Sequence, residues 1–326
     1  MTRLGYQIPN FDYPGVADPD LFATVAAQAR AADRSGFDTV MVMDHFFQLP
    51  MLGPPENKML ECYTLLAALS QHTDTVRLSA LVTGNTYRNP AVLAKIVTTL
   101  DIVSGGRAQL GIGAGWFELE HQSFGIEFGT FTDRFEKLEE ALQVIRPMLA
   151  GERPTLRGTH YDVVDAINNP QPLGRIPVMI GGSGERKTLR LVAQYADESN
   201  LTCPLDEVPR KLDALAGHCE RLGRDRSEIT VSLQRAVCIA PTHDEAFAAM
   251  RTFLAARGLD LDTLDDTTRD QILAIVTFGD PDEVGEQLTA ALATGVDGFT
   301  MSLPANAHDP EAVELLGTVA RKVVGI

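Results

Sequence analysis

Four places in this 326-residue chain combine residue types that could act on a bound molecule, and each closes a short apolar run. The first is Met43-Asp44-His45-Phe46-Phe47. It sets a carboxylate beside the one side chain that titrates near neutrality, a pairing suited to moving a proton. Both residues also have ordinary uses, Asp44 as a cap and His45 as a satisfied core histidine; their place at the end of a run favours chemistry. The second is Leu81-Val82-Thr83-Gly84-Asn85, followed by Tyr87-Arg88-Asn89-Pro90. Small and polar residues there allow the backbone to bulge toward a ligand while Thr83 or Asn85 donates hydrogen bonds. The third runs from Arg107 to Trp116, where Leu110 and Ile112 alternate with Gly111, Gly113 and Gly115 before the only tryptophan of the chain. Those glycines leave room for something flat against the backbone, with Trp116 as a wall. Glu118, Glu120 and His121 follow, and Glu118 reads as a solvated helix start. The fourth is Ile180-Gly181-Gly182-Ser183-Gly184, feeding Glu185-Arg186-Lys187-Thr188. Free backbone N–H groups at a helix start bind phosphate, helped by the hydroxyls of Ser183 and Thr188 and by Arg186 or Lys187. The Gly-Lys-Ser/Thr ending of a Walker loop is missing.

Elements that could bring these places together are legible along the whole chain. Eight brief apolar runs, Leu4–Ile8, Thr39–Met43, Arg77–Val82, Ala108–Ile112, Pro177–Ile180, Glu198–Thr202, Ile229–Ile239 and Gly298–Leu303, read as parallel strands buried on both faces. Helical periodicity fills the intervals, as in Val92, Leu93, Ile96, Val97 and Leu100. Asp18-Pro19, Asn89-Pro90 and Asp280-Pro281 each set a cap before a proline, and Glu283 completes a capping box with Asp280. Eight strands alternating with helices predict an α/β fold, a (β/α)8 TIM barrel forming a single domain over residues 1–326. The rhythm breaks at 151–176 and 257–280, expected to be insertions at the C-terminal mouth of the barrel. Function belongs at that mouth, where all four places lie.

Composition narrows the partners. A formal net charge of -16 would repel nucleic acid, and no apolar run approaches a membrane span. With 44% hydrophobic residues the chain can bury a large core, and without a secretion signal it is expected in the cytoplasm. Cys62, Cys203, Cys219 and Cys238 form no Cys-x-x-Cys pair and are read as free thiols; the seven histidines show no metal-binding spacing, so no metal is expected.

Several segments carry a resemblance: Gly36-Phe37-Asp38 leading to Asp44-His45-Phe46, Thr83 to Pro90, Asp101 to Gly106, Arg107 to Trp116 and Pro177 to Gly184. In order and spacing over residues 1–205 they resemble the luciferase-like monooxygenase superfamily, specifically its branch that uses the deazaflavin coenzyme F420. The resemblance implies a barrel whose cofactor ring rests against a bulge within Ala80 to Thr83, including Leu81 and Val82, often with a non-prolyl cis peptide. It implies Asp44 near the ring, His45 facing the reacting carbon, and the phosphate on Gly181, Gly182, Ser183 and Gly184. Homodimers are common in the family, and the remaining partner is a small-molecule substrate. The sugar-phosphate dehydrogenases of the branch carry an acid where this chain has Trp116, and a tryptophan where it has Phe46-Phe47-Gln48. A phosphosugar is therefore not the expected substrate, and Glu120 or His121 stands in as the acid.

The expected reaction is hydride transfer between F420 and a small organic substrate, with His45 as proton partner and a pocket beneath the 151–176 insertion set by Phe46, Phe47, Trp116 and Phe131. Two alternatives fit the same residues. One is an FMN-dependent monooxygenase of the same superfamily, whose cofactor lacks the anionic tail that Arg186 or Lys187 would meet. The other is a protein that holds the ring without turnover, against which the Asp44-His45 pair argues.

Overall fold

A computed structural model describes residues 3–255, 257–267 and 276–325. Eight parallel strands close on one another: β1 (Arg3–Ile8), β2 (Thr39–Val42), β3 (Arg77–Ala80), β5 (Ala108–Gly113), β8 (Val178–Gly181), β9 (Glu198–Leu201), β10 (Thr230–Ile239) and β12 (Gly298–Ser302). β9 pairs with β10, and β12 returns to β1, so the barrel has no open edge. These strands answer to all eight expected runs. A short β4 (Thr83–Gly84) pairs with β5, a β6 (Leu156–Arg157) and β7 (Asp162–Val163) form a separate hairpin, and β11 (Val276–Gly279) pairs with the far half of β10.

Strand alternation gives each strand two unlike faces. Leu4, Tyr6 and Ile8, Val40 and Val42, Leu110 and Ile112, Val178 and Ile180 belong to the apolar core shared with the helices. The opposite face lines the interior, which is partly polar. Gln234 donates to Gln7 at 2.8 Å, Asn200 to Ser232 and Thr300 at 3.0 and 3.1 Å, and Glu198 accepts from Arg3, Arg77 and Gln109. Runs that read as apolar thus conceal a hydrogen-bonded lumen, because inward polar residues alternate with outward apolar ones along the strands.

The α-helices that lie wholly within the described residues are α1 (Asp18–Ser35), α2 (Cys62–Leu69), α3 (Pro90–Val103), α4 (Glu118–Phe124), α5 (Phe131–Leu149), α6 (Thr188–Tyr195), α7 (Val208–Leu222), α8 (His243–Ala255), α9 (Pro281–Leu292) and α10 (Pro310–Val324). Asn89 caps α3 through the Ala91 and Val92 N–H groups, and Asp280 with Glu283 forms the expected box on α9. Asp18 differs: Ala17 takes the cap position, and Asp18 lies in the first turn of α1, paired with Lys58. None of these helices is long and apolar enough to cross a membrane. The four cysteines are free, three of them buried.

The 151–176 insertion departs from expectation. It lies along the flank of the barrel, not beneath a roof of its own over the mouth. Its hairpin tip is held by Glu140 of α5, which accepts from the Thr159, His160 and Tyr161 N–H groups, and its return is held by Lys95, Thr98 and Asp101 of α3. The cause is topological: α5 leads back to the amino end of the next strand, so a segment following it begins at the wrong end to cap the mouth. In the second insertion, Arg257 donates to the Met51 and Leu52 carbonyls in the loop after β2; residues 268–275 of that expectation lie outside the described residues.

One irregularity shapes the mouth. Ser79 pairs with Gln109 and Thr83 with Ile112, so the β3–β4 strand advances four residues while β5 advances three. The extra residue makes a bulge, as expected within Ala80 to Thr83, and the Leu81–Val82 peptide there is cis. Val82 projects between β5 and β8. A Cβ on Gly113 would meet Val82 Cγ2 at 2.9 Å, and one on Gly181 would meet Val82 Cγ1 at 2.8 Å. These two glycines therefore make a slot for the bulge itself; the flat thing against them is a valine. Gly113→Ala is expected to destabilise the protein by about 1–3 kcal/mol. In a double-mutant cycle followed by Tm, Val82→Ala should relieve most of that loss, and strictly additive losses would show that the slot is not what Gly113 serves.

Candidate functional site

At the carboxyl end of β2, alternation sends neighbours in opposite directions. His45 continues the inward series of Met41 and Met43, whereas Asp44 continues the series of Val40 and Val42. Asp44 is buried, and its two oxygens meet the Arg88 guanidinium at 2.6 and 2.9 Å and the Gly84 N–H at 3.1 Å. Burial alone would lower the Arg88 guanidinium, but its bonds and charge interaction with Asp44 outweigh this and hold it firmly protonated. Arg88 also reaches Glu61, the N-cap of α2, at 2.8 Å. The structure thus places Asp44 on the helix side, where it ties the end of β2 to the bulge, and not against the mouth where His45 sits.

The partner of His45 is Glu120, from the first turns of α4. His45 Nδ1 lies 2.8 Å from Glu120 Oε2. The same carboxylate accepts from the Tyr87 hydroxyl at 2.5 Å, from the Phe47 N–H at 2.9 Å and from the Phe46 N–H. Four donors thus converge on one side chain with no exposed surface. Burial would raise this carboxyl, but the bonds and charge of His45, the Tyr87 hydroxyl and the Phe47 N–H outweigh it and hold Glu120 below its ordinary 4.5. An ionised carboxylate can only accept, so Nδ1 of the imidazole carries the proton of this bond. Nε2 has no hydrogen-bond partner among the described residues. Glu118, by contrast, is exposed and bonded by Gln122, as a solvated helix start should be.

His121 is brought close but is spent. Its Nδ1 donates to the Phe117 carbonyl at 2.8 Å and its Nε2 meets the Thr86 hydroxyl at 2.7 Å, with the ring fully buried. Thr83 is buried against the Tyr63 hydroxyl, 2.6 Å away, and the Asn85 amide faces Tyr161 of the flanking hairpin. Gly84 leaves room for the Tyr87 ring, which a Cβ would strike at 2.6 Å, and Gly115, at φ +80°, sits against Thr86.

Around His45 the walls are aromatic. Trp116 and Phe117 stand edge-on to the imidazole at 5.9 Å, and Phe46 stacks on Phe124 at 4.7 Å. Phe131 is elsewhere: it packs on Phe135, with the Lys187 ammonium over both rings.

Two strands on from the bulge, β8 ends in the glycine turn. Gly182 has φ +119°, and its N–H is used by Asn200. The next five N–H groups, Ser183 to Lys187, have no hydrogen-bond partner among the described residues. They precede α6, whose first turn lacks a side-chain cap, so donors and the positive helix end coincide. The Ser183 hydroxyl accepts from the Thr202 N–H, pinning the turn to the end of β9. Arg186 is exposed, without an ion pair among the described residues.

Tyr87 and Arg88 are residues of this site that spacing did not reveal. Tyr87 lies 33 positions from Glu120, on a different strand end, and only the closed barrel brings them together. On the flank, Asp133, Glu136 and His160 also converge, their ligand atoms within 4.8 Å, but Asp133 is engaged in the capping box of α5.

Because Glu120 titrates lower in the folded chain, its contribution is complete above its unfolded value and lost as pH falls through the folded one. Glu120→Gln is therefore expected to lower stability at neutral pH by about 1–3 kcal/mol, seen as a drop in Tm. The two Tm curves should converge as the pH falls below the ordinary carboxylate range; a difference independent of pH would contradict an ionised Glu120.

The profile of the luciferase-like monooxygenase family matches residues 2–298. An F420-dependent glucose-6-phosphate dehydrogenase of Microbacterium testaceum (strain StLB037) is 30% identical over 297 residues, 86% of either chain. Among solved structures, an F420-dependent secondary alcohol dehydrogenase in complex with an F420-acetone adduct has a TM-score of 0.82 at 20% identity, covering 99% of both chains. The oxygenating constituent of 3,6-diketocamphane monooxygenase from Pseudomonas putida, in complex with FMN, has a TM-score of 0.75 at 20% identity over 98% of both. At that identity the two structures speak for the fold.

Proposed function

The chain belongs to the luciferase-like monooxygenase family, and from that premise we propose that it is an oxidoreductase dependent on coenzyme F420, acting on a small organic substrate. The observation that carries the proposal is His45, held through Nδ1 by the buried Glu120 carboxylate with Nε2 unpartnered at the barrel mouth. That arrangement holds or delivers a proton at Nε2, while Glu120 fixes the tautomer and the ring.

The residues present fit such a cofactor. Five unpartnered N–H groups from Ser183 to Lys187 and the start of α6 form a cradle for a phosphate. The bulge at Leu81 and Val82, braced by Gly113 and Gly181, lies between that cradle and His45, where a ring would be supported. When bound, F420 supplies two-electron hydride chemistry, so each turnover also moves one proton. In this reading His45 serves that proton, the glycine turn of Gly181, Gly182, Ser183 and Gly184 holds the phosphate, and Trp116 and Phe46 exclude water. Asp44 positions the bulge through Gly84 and Arg88. FMN would share the ring and phosphate positions. The preference for F420 is supported by the relative at 30% identity and by Arg186 and Lys187 beside the cradle, where an anionic tail would emerge. A homodimer is part of the same proposal, and sedimentation reads it directly.

Fluorescence titration should show tight binding of F420 and weak binding of FMN; the reverse preference would move the protein to oxygen-using chemistry. His45→Ala is expected to reduce kcat by roughly 10²–10⁴-fold while F420 affinity changes little. Parallel losses in both would remove His45 from the proton role.

A further inference from the structure

Resting on that reading, we infer that the molecule meeting His45 is uncharged, flat and largely apolar, and that it lies against Trp116. The surface beside the imidazole is an apolar patch left open to solvent. Trp116 and Phe124 are each 54% exposed, the first packed on His45 and the second on the neighbouring Phe46. Large apolar side chains gathered at one spot and left uncovered mark a place where something apolar docks. Trp116 is the open one of the two rings that touch His45; Phe117, on which it stacks at 5.2 Å, is buried.

Charge supports the same conclusion. Among the described residues, three arginines near this end are already held. Arg88 is clamped by Asp44 and Glu61, Arg134 donates to the Gly115 and Gly129 carbonyls while lying over Phe128, and Arg257 is tied to the Met51 and Leu52 carbonyls. No cation contacts His45, Phe46 or Trp116 among the described residues. A phosphate or carboxylate on the substrate would find no counter-charge there. A cationic substrate gains little either, since Glu120 is saturated by four donors and has no exposed surface. What remains is stacking on a flat apolar body, with one hydrogen bond at His45 Nε2 for a neutral acceptor or donor.

Trp116 is the only tryptophan, so its emission reports on this spot alone. The probes are benzylideneacetone, a neutral flat enone, its para-carboxylate, and glucose 6-phosphate, each titrated into F420-loaded protein by calorimetry and by Trp116 emission. The neutral enone is expected to bind at least about tenfold more tightly than either anion and to change the emission; Phe124→Ala should weaken it about three- to tenfold. Equal or tighter binding of an anion would overturn the inference. So would enone binding that leaves the Trp116 emission and the Phe124→Ala affinity unmoved, since the ligand would then sit elsewhere. F420 bound with indifference to substrate charge defeats this inference alone, whereas failure to bind F420 defeats the proposed function with it.

Discussion

Glu120 accepts four hydrogen bonds from parts of the chain that only a closed barrel brings together: the His45 ring, the Phe46 and Phe47 backbone beyond β2, and the Tyr87 hydroxyl beyond β4. A carboxylate buried without these donors would protonate or bring in water. With them it stays charged and fixes three loops at once. The imidazole inherits its orientation and tautomer from this arrangement, so the reactivity proposed for His45 is a property of α4 as much as of β2. Asp44 makes a parallel tie on the opposite face, fastening the same strand end to Gly84 and Arg88. Two adjacent acidic anchors, one on each side of one strand, leave the end of β2 little freedom. Little freedom is what a proton-transferring group requires, since small misplacements are costly in catalysis.

The second constraint is steric. The extra residue between Ser79 and Thr83 must go somewhere, and Val82 goes into the space that Gly113 and Gly181 leave empty. The glycine-rich ends of three neighbouring strands are therefore one device. Gly84 belongs to it as well, since the close approach of the Tyr87 ring that it permits puts the phenol on Glu120. Bulge, glycines and carboxylate are thus coupled through contacts of under a nanometre, and a side chain added at any of the glycines would be felt at His45.

The sequence made the barrel legible because each strand contributes an outward apolar set and each interval a 3.6-residue period. Asn89 and Asp280 announced their caps by residue type alone. What the linear pattern could not show was which face each site residue takes. Asp44 and His45 are neighbours in sequence and opposites in space, and nothing short of the β2 register separates them. Glu120 was visible as an acid after a glycine strand, but not as a buried hub, because its donors come from other strand ends. The 151–176 insertion misled for a related reason: a break in rhythm reveals length, and only the direction of α5 tells which end of the barrel that length begins from. Phe131 followed it, an aromatic near the site in sequence that packs instead on Phe135 under Lys187.

These features give the mouth two unlike halves. At the β8 end, five N–H groups and the start of α6 present positive potential in a chain whose net charge is -16, so an anion is drawn to that one place against the field of the whole. At the β2 end, cations are tied down and aromatic rings stand open. A molecule with a phosphorylated tail and a planar head is oriented by such a gradient before any specific contact forms: the tail has one favourable position, and the head is left over the bulge. The same gradient separates cofactor from substrate. An anionic substrate would compete for the β8 end, while a neutral apolar one has no reason to leave the His45 side. In the proposed reading, polarity along the mouth, set by where the glycines and the ion pairs fall, does that sorting.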